Sequence, residues 1–158
     1  MSYVIKGLDP APFRRFYGLS DEALAAEQVV RMTADSKPGF PCRVTLEDAE
    51  PGETLLLLNY EHLPDASPYR SRHAIFVREG AETPALFTDE IPEQLATRLV
   101  SVRAFDRFAM MTDAEVVEGN ALEPLIDAMF ADPAVAYLHV HNAKRGCFAA
   151  RVDRPGQP

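Results

Sequence analysis

The segment Tyr137-Leu-His139-Val-His141 and the nearby Cys147 carry the side chains best suited to chemistry in this chain. Strand alternation places His139 and His141 on one face with Tyr137, and Ala136, Leu138 and Val140 on the other. The next alternating apolar set, Phe148, Ala150 and Val152, must join Leu138 and Val140 in one core. That requirement pairs His141 with Cys147, Val140 with Phe148 and His139 with Ala149, across the turn Asn142-Ala-Lys-Arg-Gly146. Tyr137, His139, His141, Cys147 and Arg151 then share the reverse face.

Two chemistries suit that face. Cys147 as a thiolate nucleophile with His141 or His139 as its base is the catalytic form. A divalent metal on His139 and His141 is the other, with Cys147 as a third ligand and His62, His73 or Glu61 completing the set. The ordinary alternative is structural: histidines hydrogen-bonded or solvated on a second sheet face, and cysteine packed as a small hydrophobe.

A second group follows the four leucines 55–58, where polar residues end a buried strand: Asn59, Tyr60, Glu61 and His62. Tyr69, Arg70, Arg72 and His73 come shortly after. Asn59, Glu61, His62, Tyr69, Arg72 and His73, with Arg151, form a candidate binding set for a carboxylate or phosphate. Surface ion pairs of little energetic weight are the competing reading.

These residues need elements to hold them. Val4 and Ile5 start a strand, and Ser20 caps a helix running through Glu27. Residues 29–33, 43–47, 54–60, 73–78, 100–105, 109–117, 135–141 and 147–152 read as strands. Residues 92–99 form a short helix. Residues 120–130 form a longer one, capped by Asn120 with Glu123 reaching back. Strands outnumber helices and often follow one another directly. The expected class is therefore α+β, a twisted, mostly antiparallel sheet with about three helices packed against it. Residues 1–153 read as a single globular domain and 154–158 as a loose, Pro- and Gly-containing tail.

Sixteen basic residues against 24 acidic ones give a formal net charge of −8, which disfavours nucleic acid and anionic membrane as partners. Two cysteines do not make a disulfide framework. The N-terminus lacks the apolar region of a signal peptide, and Leu55–Leu58, the longest apolar run, is far too short to span a bilayer. The cytoplasm is the expected location. No Gly-rich phosphate loop or other nucleotide motif is present, so no nucleotide cofactor is indicated. Nothing in the residue pattern decides between a monomer and a homodimer.

Three segments, PGFPCRVTLEDAEPGETLLLLNYEH (38–62), SPYRSRHAIFVREG (67–80) and AYLHVHNAKRGCFAARV (136–152), resemble a bacterial family catalogued as domain of unknown function 1203. The resemblance covers nearly the whole chain. It implies a bacterial, cytoplasmic protein and supplies no activity, cofactor or catalytic residue. The residues themselves lead to a small-molecule site, for an anion or a metal, of binding or enzymatic kind. The rival class is an interaction or regulatory module without chemistry.

Overall fold

A computed structural model describes residues 2–157. Among these, nine strands form two antiparallel sheets, so the expected α+β class holds, with the strands divided between the two. The strands are β1 (Val4–Lys6), β2 (Val30–Thr33), β3 (Thr54–Leu63), β4 (Ser71–Arg78), β5 (Leu86–Thr88), β6 (Leu99–Phe105), β7 (Met111–Glu118), β8 (Tyr137–Asn142) and β9 (Phe148–Asp153). The helices are α1 (Asp21–Ala26), α2 (Glu93–Ala96) and α3 (Leu122–Phe130). The large sheet runs β5-β1-β9-β8-β6-β7 and the small one β2-β3-β4.

One face of the large sheet carries Ile5, Val100, Val102, Ala104, Leu138, Val140 and Val152, all fully buried. The α3 stripe of Leu122, Ile126 and Met129 packs against it, with Leu95 of α2. The small sheet closes a second core with Leu56, Leu58, Ile75 and Val77, beneath Phe13, Phe16 and Leu24. Leu55 packs on the opposite face with Ala34 and Ala49, so the leucine run is covered on both sides, as a central strand should be.

Local signals explain most boundaries. Ser20 accepts a hydrogen bond from the Ala23 amide at 3.1 Å, and Asp21 and Glu22 sit in the first turn of α1, where the helix dipole favours them. Two expectations fail. Residues 43–47 are not a strand: they turn, and Leu46 takes the left-handed conformation at φ 53°. Arg43 and Val44, which a strand would send to opposite faces, are both buried within that turn. The capping box of α3 is also absent. The chain enters α3 through a 3-10 turn, Gly119–Ala121, which contains Asn120. Glu123 instead accepts from the Tyr3 hydroxyl at 3.3 Å. In addition, Arg154 is not loose. It stacks over Phe130 at 4.6 Å and donates to the carbonyls of Phe130, Asp132 and Val135. No helix among the described residues is long and apolar enough to cross a membrane.

Candidate functional site

The β8–β9 register differs from the sequence expectation by two residues at His139 and Val140 and by one at His141. His139 pairs with Arg151 and Val140 with Ala150, and then a bulge intervenes before His141 pairs with Phe148. Ala149 is the extra residue, and it is buried in the core beside Ala150. The bulge turns Phe148 onto the imidazole face. It also leaves Cys147 ahead of the strand, where its Sγ accepts from Arg43 Nη2 at 3.1 Å and Asn142 Nδ2 at 3.5 Å. Among the described residues, neither His139 nor His141 hydrogen-bonds that sulfur. The expected thiol–imidazole pair is therefore not formed.

What joins the two imidazoles is a third, from the other sheet. The His62 ring of β3 lies 5.9 Å from His139 and 4.9 Å from His141, centroid to centroid, and stacks on Phe148 at 5.5 Å. His139 and His141 are 6.2 Å apart. Phe105 and Tyr137, each 5.2 Å from His139, continue the wall. His139 and His141 are only 2% and 1% exposed, and His62 is partly exposed at the rim. The small sheet thus covers the β8–β9 side of this face.

Burial dominates the electrostatics. It pulls His139 down to about 2, helped by the positive charge of neighbouring His141, His62, Arg151 and Arg103. His141 falls to about 3, chiefly through burial, although its ring bond to Gly146 works the other way. Burial lowers His62 to about 4, with Arg103 and His73 adding to the shift. All three rings are therefore neutral near pH 7. His141 Nδ1 lies 2.9 Å from the Gly146 carbonyl, so Nδ1 carries the proton and Nε2 is left as the acceptor. The Nδ1 atoms of His62 and His139 are buried without a hydrogen-bond partner among the described residues.

Arg103 of β6 lies opposite His139. It is half-buried, and its guanidinium is lowered by burial, with no acidic group among the causes. Its one hydrogen bond among the described residues is a long one, to Ser101 Oγ at 3.4 Å. Elsewhere Arg14, Arg31, Arg70, Arg78, Arg98 and Arg151 all hold carboxylates. Arg103 was missed in the sequence reading, although a signal existed. It alternates with the core residues Val102 and Ala104, which places it on the imidazole side.

A family profile matches residues 39–154, most of the chain. The chain belongs to the DUF1203 family, described as "Protein of unknown function". No curated protein and no solved structure matches it. His62, Arg103, His139 and His141 all fall inside the DUF1203 match.

The remaining candidates scatter. Asn59, Glu61 and Arg72 line a separate cavity of about 290 Å³ with Phe13, Phe16 and Tyr60. The His62, His139 and His141 rings do not line this cavity, although its Glu61 directly precedes His62 and its Tyr60 lies 6.1 Å from Phe148. Within it Arg72 donates to Asn59, while Glu61 pairs with Arg70 at 3.2 Å. Tyr69 packs on Phe105 at 6.2 Å, in an apolar cluster with Leu63 and Tyr137. His73 pairs across from Tyr60, close enough to His62 and His141 for its charge to lower both. Arg151 stacks over the Tyr137 ring at 4.0 Å and is neutralised by Asp153 at 2.7 Å. As for the metal reading on His139 and His141, no three His, Cys, Asp or Glu among the described residues stand where they could hold an ion.

Proposed function

We propose that this protein binds a small anionic molecule, bearing a carboxylate or phosphate, at Arg103 beside the three imidazoles. The observation that carries this reading is the electrostatic state of Arg103. It is a half-buried guanidinium with no carboxylate partner among the described residues, in a chain of net charge −8. An arginine in that state lacks the counter-charge that its burial calls for, and its planar fork matches an oxyanion. The neutral imidazoles nearby do not compete with the anion for Arg103, as carboxylates would.

His141, with its proton on Nδ1 toward Gly146, keeps Nε2 as a hydrogen-bond acceptor. We further infer that the protein works in the cytoplasm, where its two free cysteines stay reduced.

The test is calorimetric titration of acetate and inorganic phosphate into the wild-type chain and into Arg103→Gln. Wild type is expected to bind at least one of the two. The variant should bind roughly tenfold or more weakly, the worth of a charge-assisted hydrogen bond. Equal binding by both proteins would sink the reading.

A further inference from the structure

The small sheet covers only part of the imidazole face of the large one. His62 meets β8 and β9, and the end of β3 reaches Phe105 through Leu63. Beyond them the face continues over β6 and β7 as an open ledge. Register puts Leu99, Ser101 and Arg103 of β6 on this side, opposite Glu118, Val116 and Ala114 of β7. Leu99 is 38% exposed and Val116 52%, and Ala114 is exposed as well. The other face of the same two strands is packed normally, with Val100 and Val102 fully buried and Val117 against them. An apolar strip thus runs directly from the unneutralised guanidinium.

We propose that the anion taken at Arg103 is amphipathic: its acidic head meets Arg103 and Ser101, and an apolar body lies along Ala114, Val116 and Leu99. This rests on the anion-binding reading above and names the ligand class more closely. Two features select a small amphipathic molecule over a purely polar one. The head-group site has a hydrophobic flank on its solvent side, which a free phosphate would leave bare. On the inner side Phe105 and Phe148 pack around the buried His139 ring, so the apolar body of an extended ligand finds its open surface on the ledge. Glu118 at the far end of the strip, opposite Leu99, disfavours a second acidic group there.

The experiment is calorimetric titration with acetate, butyrate, hexanoate and octanoate at fixed salt, into wild type, Arg103→Gln and the exposed double variant Leu99→Ser, Val116→Thr. The proposal expects affinity to rise in wild type by roughly two- to fourfold per methylene. The double variant should bind acetate like wild type but show a flattened chain-length series. Arg103→Gln should weaken the whole series. Octanoate binding no tighter than acetate overturns the apolar flank and leaves the head-group reading standing. Binding of neither acid overturns both. A dimer in sedimentation that the double variant dissociates, with no chain-length dependence, assigns the ledge to a second copy and also overturns the proposal.

Discussion

Arg43 is the residue whose chemistry the alternation pattern most concealed. It is 1% exposed and has no carboxylate partner among the described residues. Its guanidinium donates from Nε to Phe148 O at 2.8 Å, from Nη1 to Pro41 O at 2.7 Å and from Nη2 to Cys147 Sγ at 3.1 Å. One side chain thus ties the 41–43 turn to the bulged start of β9. Burial lowers its pKa and the Cys147 sulfur opposes that shift, but an arginine stays charged regardless. Lysine keeps the charge yet cannot span three acceptors, so Arg43→Lys orphans at least one buried carbonyl. The expected loss is on the order of 2–4 kcal/mol in urea unfolding. A change below about 0.5 kcal/mol would mean that the fork holds nothing together. No sequence signal announced this role, because the three acceptors lie on two segments more than a hundred residues apart.

At the scale of elements, crossings of the backbone set the strictest demands. A Cβ on Gly119 would lie 1.8 Å from the Leu95 carbonyl oxygen, so the 3-10 turn before α3 rests directly on α2. Gly52 sits at φ 94° with open space around it. The two substitutions separate steric contact from conformational strain. Gly52→Ala should cost about 1 kcal/mol for its left-handed backbone. Gly119→Ala should cost roughly 2–4 kcal/mol, because the obstacle is main chain that cannot rotate away. Paired thermal melts of the two variants check this, and equal costs would contradict the crossing. Strands with strong composition were legible: the leucines of β3, and the alternation of β6 and β8. The β8–β9 register was not. Parity gave the faces of β8 and of residues 150–152 correctly, but a bulge adds one residue without any compositional mark, buries Ala149 and moves Phe148 across the sheet. The histidine pair was therefore legible, while His62 stood only as one of three residues that could complete it. His62 joins it through sheet-on-sheet packing, which local pattern does not encode.

The whole molecule places three neutral imidazoles in the seam between its sheets, two of them fully buried, and that arrangement makes its stability depend on pH. An unfolded histidine titrates near 6.5, while burial holds His139 at about 2 and His141 at about 3. Below about pH 6.5 the unfolded chain binds protons that the folded chain refuses. Stability is then full above that point and falls as pH drops, until the folded values are reached near pH 3. Each histidine contributes about 1.4 kcal/mol per pH unit, so the pair should remove roughly 4 kcal/mol between about pH 7.5 and about pH 5. Glu79 acts in a lower window. Its hydrogen bonds from Arg31 hold it at about 2, so its contribution is lost only as pH falls below the ordinary carboxylate value of 4.5. Urea unfolding between about pH 7.5 and about pH 5 therefore isolates the histidines. The double variant His139→Gln, His141→Gln should be less stable at neutral pH yet lose most of the pH slope. A slope equal to that of wild type would mean that protons reach these rings in the folded state, and that the seam between the two sheets is open to water.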